Sequence, residues 1–591
     1  MDTIEKAILK ELAAKHRGSR VRDPLLCLIA LLPVICLAWL ISATVVNVLI
    51  LDEWDHIFLF RHLAAHTLTL SDLFQQHNET RPALPNLIML GLGVLTRWDT
   101  RWDMGVTFLF ACVISVNVYL LSRRTMNRQQ ALILWAVANV LIFSTEQSQN
   151  WSWGIQMIVF MPIMLIFVGI LVAYSRMNVT WKFVMCMVLS TAATFSYANG
   201  QLAWVLLLAA LVIGSRKQTR RLGWRIWMWA AAFAANMWVY YRDYQVPPDN
   251  PSMLLVLKHP VQAMEYFAAF LGASLGQGFH RLWISVAFGA VLLACLAGIC
   301  QIVWHRRRQA TFAEPASIWL LIAAYSMMSA AVATVGRLGF GVNQSQDSRY
   351  TTFSLYLVVG LLYLGAMIVR DIHRRGETVS ARVLACLGLG LLLLPQTVTQ
   401  LDGYRQMWAY HRGCLTGKAC VQLINISVIR GALPYPTPEK IIEEVGFLDQ
   451  MGYLSPGLVK RDISLIEGNA NGKSYGCFEA LKPLPGDAWS ANGWAIDPKH
   501  VEQAAIVILA GENSQGVPQA FAVATVGGPR PDVSGQLHHR AYATCGWNVR
   551  FKAPEVPLGT KMISAWAYNP ISGLAYRLTG HFRWESGGAG L

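Results

Sequence analysis

Long apolar segments separated by short polar stretches recur through the first 400 residues of the chain. Segments of about 18 or more apolar residues are long enough to cross a ~30 Å hydrocarbon core as helices. The predicted crossings are 25–50, 104–122, 130–146, 154–174, 182–197, 200–214, 225–241, 282–304, 316–335, 351–370 and 381–400. The pattern therefore predicts a polytopic α-helical membrane protein with about 11 transmembrane helices.

Two further apolar stretches are predicted not to cross. Residues 82–97 open with Pro82 and Pro85, and residues 261–277 are short and rich in Gly and Ala. We expect both to form helices that lie in, or dip into, the outer leaflet. This assignment fixes the orientation of the spans that lie between them along the chain.

The pattern changes after about residue 401. Residues 401–470 are predicted to form a linker with one helix from Pro438 to Met451. Residues 471–591 contain short apolar runs, such as 505–509, 520–524 and 562–568, separated by Gly, Pro and Asn. Such spacing is typical of strands and predicts a β-sandwich domain.

Basic residues decide the predicted orientation. Residues 1–23 are expected to form a basic amphipathic helix on the cytoplasmic surface ahead of the membrane domain, residues 24–400. The predicted inner loops carry Arg123-Arg124, Arg176 with Lys182, Arg216-Lys217 with Arg220-Arg221, Arg306-Arg307-Arg308 and Arg374-Arg375. Because basic loops stay on the cytoplasmic side, the N-terminus is predicted inside and the C-terminal domain outside.

Composition agrees with a membrane protein. The chain is 54% hydrophobic and 14% charged, with a mean hydropathy of +0.39, whereas soluble domains carry about 25% charged residues. The formal net charge of +15 could suggest a nucleic-acid partner. We do not expect one, since the basic residues lie in short clusters between spans.

Four of the eleven cysteines lie in the C-terminal region, and the others lie in or beside predicted spans. An even number in an oxidising compartment suggests disulfides among Cys414, Cys420, Cys477 and Cys545. Pairs 414–420 and 477–545 are preferred, although three pairings are compatible with the sequence.

An acidic cluster directly follows the first predicted span and begins a long outer loop, residues 52–103. It comprises Asp52, Glu53, Asp55 and His56. Carboxylates at the mouth of a transmembrane helix usually serve ions, protons or substrates. One or two of these acids could instead cap the next helix, so the cluster is a candidate catalytic group rather than an assigned one.

Other polar residues are predicted to gather on the same outer face. The candidate substrate-binding residues are His56, at the end of the acidic cluster, and His77, Glu79, Arg81, Gln149, Trp153, Tyr197, Asn199, Arg337, Gln344, Arg349 and Tyr350. Amides and carboxylates suit sugar hydroxyls, and the planar guanidinium groups of Arg337 and Arg349 suit a phosphate. The chain lacks a Walker loop, a dinucleotide fingerprint and a nucleophile elbow.

The first hundred residues resemble the C-type membrane glycosyltransferases. The resemblance rests on the Asp52-Glu53 pair after the first span, the long outer loop, and Arg81-Pro82-Ala83-Leu84-Pro85 leading into a membrane-associated helix. The C-terminal Gly493-Trp494-Ala495-Ile496-Asp497-Pro498 segment is similar to a domain appended to uncharacterised bacterial membrane proteins. This similarity implies no role for the domain.

The resemblance implies an enzyme of the bacterial inner membrane with a periplasmic C-terminal domain. It would transfer a sugar, with inversion, from a polyprenyl-phosphate donor to a glycan or lipid acceptor during cell-envelope polysaccharide synthesis. Asp52 would be the general base, with Asp55 as the alternative, and Glu53 an orienting group. These three acids permit a divalent cation, magnesium or manganese, without requiring one. Arg349 and Arg337 would hold the donor phosphate.

Two other functions remain compatible with the sequence. A polymerase or ligase of lipid-linked glycans would use similar chemistry on longer chains. A polysaccharide transporter or flippase would perform no covalent chemistry. Transporters commonly show internal repeats and broken helices at the bilayer midplane, which the sequence does not indicate, so this function ranks third.

Overall fold

The computed structural model describes residues 2–214, 223–248 and 250–585, with the side chains of 2–21 and 378 excluded. Two predictions therefore fall outside the described part. They are the basic clusters Arg216-Lys217 and Arg220-Arg221, and the amphipathic character of residues 1–23.

The described chain contains nineteen α-helices and eight β-strands. The helices are α1 Asp2–Thr44, α2 Ile57–Ala64, α3 Leu70–Leu73, α4 Ala83–Thr96, α5 Arg101–Thr125, α6 Arg128–Ile142, α7 Ser148–Ser152, α8 Met157–Ala173, α9 Val179–Thr194, α10 Ala203–Gly214, α11 Gly223–Tyr241, α12 Leu255–Lys258, α13 Pro260–Gly276, α14 Leu282–His305, α15 Ala310–Arg337, α16 Ser348–Arg374, α17 Thr378–Gln422, α18 Pro438–Gln450 and α19 Pro531–Gln536. The strands are β1 Gly476–Leu484, β2 Ala488–Asp497, β3 Glu502–Gln503, β4 Ile506–Glu512, β5 Pro518–Gly528, β6 Gly546–Lys552, β7 Met562–Asn569 and β8 Leu574–Arg583.

The chain divides into two compact units. The membrane unit comprises Met1–Val45, His62–Gly91 and Arg101–Trp408, and the barrel unit comprises Val46–Arg61, Leu92–Thr100 and Ala409–Leu591. The sequence did not predict that two pieces of the first outer loop belong to the C-terminal unit. The stacked rings of Phe60 and Trp98, 3.7 Å apart, join the two pieces to each other. Trp98 also lies edge-on to Tyr453, with ring centroids 6.0 Å apart, and Arg61 forms a 2.7 Å ion pair with Glu444.

Eight helical segments among the described residues are long and apolar enough to cross a membrane. They are Arg22–Thr44, Arg101–Thr125, Arg128–Ser152, Gly154–Ala173, Leu282–His305, Ala310–Phe340, Ser348–Arg374 and Val379–Gln422. The prediction of 11 is not confirmed. Helix α9 has 16 residues and α10 has 12, which at 1.5 Å per residue are shorter than the ~30 Å core. Helix α11 is also absent from the eight, as are the two stretches predicted not to cross.

Close helix packing builds the membrane unit. Helices α13 and α14 approach at Gly272 and Gly289, where a Cβ atom would overlap the backbone of Ser285 and of Ala268 respectively. Small residues permit such contacts in membrane proteins, where van der Waals packing replaces the hydrophobic effect between helices. Helix α16 is buried along most of its first half and pairs with α15.

Helix α17 corrects the predicted domain boundary. It continues from Thr378 to Gln422, so about twenty residues of the predicted linker are helical. Pro395 lies inside it, which transmembrane helices tolerate because neighbouring groups satisfy the freed backbone atoms. The one helix predicted within the linker, Pro438 to Met451, is confirmed as α18.

The strands of the barrel unit form one sheet in the order β1-β8-β7-β4-β5-β6-β2-β3, and β1 also pairs with β2. Seven strands therefore close into a barrel-like ring, with β3 as a short outer strand. The β-sandwich prediction is not confirmed, because β1 pairs with both β2 and β8 and leaves no open edge. The three apolar runs predicted as strands are confirmed in β4, β5 and β7.

Strand β4 is apolar on both faces because it has neighbours on both. Val507 and Leu509 belong to the core of the barrel, whereas Ile506 and Ile508 belong to a second cluster with Ala419 at the end of α17. This explains why residues 505–509 are continuously apolar rather than alternating, since a strand covered on both sides has no polar face.

The predicted disulfides are absent, since all eleven cysteines are free thiols. Cys414 and Cys420 lie six residues apart on α17, about 9 Å along the axis at 1.5 Å per residue. Cys477 pairs with Trp494, whose other neighbour is Gly546, so two strand spacings of ~4.8 Å separate Cys477 from the region of Cys545. Both separations exceed the ~7 Å that a disulfide spans between Cα atoms.

Candidate functional sites

The acidic cluster of the first loop forms a short 3-10 helix, Leu51–His56, in the barrel unit. Glu53 is 1% exposed and its carboxylate accepts the backbone N–H of Ile50 at 2.7 Å. His56 is 2% exposed and its Nδ1 lies 2.8 Å from the backbone oxygen of Asp52. Glu53 and His56 therefore hold the turn, which leaves Asp52 and Asp55 as the half-buried acids of the cluster.

Asp55 is tied to the segment that precedes α18. The hydroxyl of Tyr435 donates to Asp55 Oδ1 at 2.9 Å, and Lys440 Nζ lies 3.9 Å from the same oxygen. Burial, the hydrogen bond to Asp55 and the charges of Asp55 and Asp52 raise the pKa of Tyr435 to about 12. Tyr435 thus remains a hydroxyl donor to Asp55 at neutral pH.

Asp52 and Asp55 can each offer a carboxylate oxygen within 4.8 Å of the other. This spacing and chemistry fit a divalent cation such as magnesium or manganese, which prefers carboxylate and water oxygens. Glu53 does not fit as a ligand, because one of its oxygens already accepts the Ile50 amide. The predicted three-acid set is therefore reduced to two.

A second group of potential metal ligands lies in the barrel, where the sequence indicated none. Ligand atoms of Asp497, His500 and Glu502 lie within 4.8 Å of one another. Burial opposes ionisation of Asp497, but hydrogen bonds from His500 and from the Lys499 amide leave the pKa of Asp497 below its ordinary value. A third hydrogen bond comes from Asn569 at 2.7 Å. These bonds already explain the group as a structural turn.

In the membrane unit, Glu79 and Arg337 form an ion pair. Arg337 Nη2 lies 2.6 Å from Glu79 Oε1, and Asn250 donates to the same oxygen at 2.7 Å. The hydroxyl of Tyr240 donates to the Glu79 backbone oxygen at 2.6 Å. The loop before α4 is therefore tied to the end of α15, with one guanidinium and one carboxylate partly open, 27% and 25% exposed.

Arg349 lies in the first turn of α16, one short loop after Arg337. Its Nη2 lies 3.3 Å from Asp347 Oδ2, and its guanidinium lies 5.2 Å from the ring centroid of Tyr350. Burial raises the pKa of Asp347, whereas the neighbouring Arg349 opposes that increase. Part of the Arg349 charge is therefore balanced locally.

The two arginines share a common neighbour. Tyr197 stacks on Phe353 with ring centroids 5.8 Å apart, and its hydroxyl lies within the electrostatic influence of Arg349, Arg337 and Glu79. The structure thus brings together five predicted residues in what we call the arginine cluster: Glu79, Tyr197, Arg337, Arg349 and Tyr350. Tyr266 and Asp347 interact electrostatically with the same groups, and the sequence analysis missed both.

The remaining predicted residues are placed apart from that cluster or serve structural contacts. Arg81 donates to the backbone oxygens of Tyr240, Phe74 and Arg242 at 2.6–2.9 Å. These bonds give its guanidinium group a structural role. His77 forms a β-bridge with Thr80. The backbone N–H of Gln149 donates to Ser348 Oγ at 3.1 Å.

Three further predicted residues line the interior of the membrane unit. Trp153 and Asn199 are buried, and the side-chain oxygen of Gln344 is buried without a hydrogen bond from any described residue. Two contacts of the acids, Tyr435 and Lys440, were also missed by the sequence analysis. Tyr435 lies in Pro434-Tyr435-Pro436-Thr437-Pro438, which carried only a turn pattern, and Lys440 lies in the first turn of α18.

Comparison of the chain with protein-family models, with curated proteins and with solved structures found no match.

Proposed function

We propose that the chain is a membrane glycosyltransferase that takes its sugar from a polyprenyl-phosphate donor. The observation that carries the proposal is the arginine cluster, in which Arg337 ends α15 and Arg349 lies in the first turn of α16, two paired and strongly apolar helices. Arginines are costly at such positions unless they serve an anion or a fixed partner. A phosphodiester carries the matching charge and accepts paired N–H donors.

The Glu79 carboxylate would compete with the donor phosphate for Arg337. Its carboxylate occupies Arg337 at 2.6 Å, so a bound phosphate would share or replace that ion pair. Arg349 is engaged by Asp347 at the longer distance of 3.3 Å. We therefore expect Arg349 to be the principal phosphate contact and Arg337 to be the weaker one.

The proposed chemistry is a single displacement. A carboxylate of the first loop takes the proton of the acceptor hydroxyl, whose oxygen bonds to the anomeric carbon as the bond to the donor phosphate oxygen breaks. The polyprenyl phosphate leaves with the electron pair, and the anomeric configuration inverts. Asp52 is the proposed base, and Asp55 is the alternative, because Glu53 is committed to the Ile50 amide. Transfer is proposed on the outer face of a bacterial inner membrane.

The test uses the purified full-length protein in nanodiscs with a panel of polyprenyl-phosphate sugars. Donor binding is measured for the wild type, Arg349→Gln, Arg337→Gln and the control Arg374→Gln, which alters an exposed arginine at the other end of α16. Loss of one charged hydrogen bond of ~1.5–3 kcal/mol predicts a decrease in affinity of about tenfold or more for Arg349→Gln. The control should bind as the wild type does.

Turnover separates the candidate functions. Loss of turnover in Asp52→Asn or Asp55→Asn with donor binding retained would support the transferase and identify its base. Binding without turnover in the wild type, across glycan and lipid acceptors, would favour a lipid-glycan carrier or flippase. Failure of every donor to bind, or equal binding by Arg349→Gln and Arg374→Gln, would contradict the proposal.

A further inference from the structure

The membrane unit contains a buried carboxyl group that the proposed sugar transfer does not use. Glu146 is 0% exposed, and neither carboxylate oxygen forms a hydrogen bond with any described residue. Asp402 lies close to it, because a Cβ atom at the adjacent Gly403 would overlap the Glu146 backbone nitrogen. Asp402 is itself an acid, and no basic residue in the described part of the chain forms an ion pair with Glu146, so an ionised Glu146 would have no counter-charge there. Transfer of an unpaired carboxylate to such a place is strongly unfavourable, and the group takes up a proton instead.

Helix α17 fixes Glu146 in that position. Gln396 donates to Ser144 Oγ at 3.1 Å, and the Thr145 amide donates to Gln400 Oε1 at 3.0 Å. At Gly403 a Cβ atom would overlap the backbone of Thr145. Three successive turns of α17 therefore pack against residues 144–146, which holds the backbone of Glu146 in place.

A route of titratable groups connects this site with solvent. Asp402 is 13% exposed and follows directly on the turns of α17 that hold Glu146. Its Oδ1 lies 2.9 Å from His280 Nε2, and its Oδ2 accepts Gln406 Nε2 at 2.7 Å. His280 is 68% exposed and lies just before α14. From the interior to solvent, the route therefore runs from the buried Glu146 carboxyl to the half-buried Asp402 carboxylate and then to the exposed His280 imidazole.

We propose that Glu146 is a proton-binding site of the membrane unit and that Asp402 and His280 form its exchange route to solvent. The proton passes from the Glu146 carboxyl to the Asp402 carboxylate and then to His280 Nε2, and the imidazole releases a proton from Nδ1. Glu146 is left as a carboxylate until a proton returns by the same route. This function is independent of sugar transfer, and it also applies if the chain is a carrier.

Infrared difference spectroscopy of the full-length protein in nanodiscs tests the bound proton. At pH 7 the wild type should show a protonated-carboxyl C=O band that disappears in Glu146→Gln. Glu377→Gln, which changes an exposed glutamate of the same unit, should retain the band. If the wild type and Glu146→Gln show no difference in this band, then Glu146 is ionised and the proposal is wrong.

Exchange kinetics test the route. After transfer into D2O, the shift of the carboxyl band should be at least about tenfold slower in His280→Ala and Asp402→Asn than in the wild type. His305→Ala is the matched control, because His305 is an exposed histidine at the opposite end of α14. Equal exchange rates in His280→Ala and His305→Ala would contradict the route and would leave Glu146 with a structural role only. This measurement leaves Glu146 unchanged, so it is decisive even if Glu146→Gln does not fold.

Discussion

At the scale of the residue, neighbouring acids of one cluster have different roles because burial differs between them. Glu53 is buried and accepts a backbone amide, whereas Asp52 and Asp55 are half-buried. The sequence places all of these acids within four positions, and each is equally compatible with catalysis or capping. Only the direction of each side chain separates them, and that direction depends on the 3-10 turn and on Tyr435, some 380 residues away.

Replacement of Glu53 by alanine should destabilise the protein without acting on chemistry. The Ile50 amide would lose its acceptor inside a buried turn, at a cost of about 1–3 kcal/mol. We expect a lower thermal midpoint for Glu53→Ala, measured in detergent by the loss of monodispersity on heating. Glu443→Ala is the control, because Glu443 is an exposed acid of α18 in the same unit, and it should unfold at the wild-type temperature. Equal midpoints for Glu53→Ala and the wild type would remove the capping role.

At the scale of the element, α17 shows how one helix serves two environments. Its first part is apolar enough to count among the membrane-crossing segments, and its last turn packs against the barrel through Ala419 and Cys420. The hydropathy pattern ends near residue 400, and the helix does not. Polar side chains such as Gln396 and Gln400 are retained because they bind backbone and hydroxyl groups of residues 140–145.

Gly403→Ala should weaken the packing of α17. A Cβ atom there overlaps the Thr145 backbone, and overpacking of this kind costs about 1–3 kcal/mol. Gly388→Ala is the control on the same helix, where a Cβ atom meets nothing within 4 Å and alanine improves helix propensity by up to ~1 kcal/mol. The thermal midpoints should shift in opposite directions. An unchanged thermal midpoint for Gly403→Ala would show that α17 can move away from Thr145.

At the scale of the whole molecule, the number of crossings decides which compartment holds the barrel. The eight long apolar segments are an even number and would return the chain to its starting side. The proposed orientation requires an odd number of crossings. That number is reached if α9, α10 and α11 also cross, which gives the predicted 11. Short helices can cross where the bilayer thins or neighbouring helices cover their ends.

Reporter proteins fused to the C-terminus should show directly whether the number of membrane crossings is odd or even. We expect alkaline phosphatase, which is active only outside the cytoplasm, to be active when it follows the barrel, and a fluorescent protein that folds in the cytoplasm to be dark there. The same reporters placed after residue 125, at a predicted inner loop, should give the reverse pattern. Cytoplasmic activity of the C-terminal fusion would mean an even number of crossings and would contradict transfer by an outward-facing site.

The sequence by itself determined the polytopic helical class, the change to strands after residue 471, and the individual strands β4, β5 and β7. These features depend on local hydrophobic periodicity, which is written along the chain. It also identified Arg337, Arg349 and Glu79 as candidates, since charged residues beside apolar spans are uncommon.

Only the tertiary structure decided closure of the barrel, the assignment of residues 46–61 and 92–100 to the C-terminal unit, and the absence of disulfides. It also decided which acids are buried and that the Glu146 carboxyl oxygens form no hydrogen bond with any described residue. Each of these depends on contacts between residues far apart in sequence. Strand order, burial and the distance between thiols therefore cannot be predicted from hydrophobic periodicity. Periodicity shows which face of an element is apolar, but it does not show which other element covers that face.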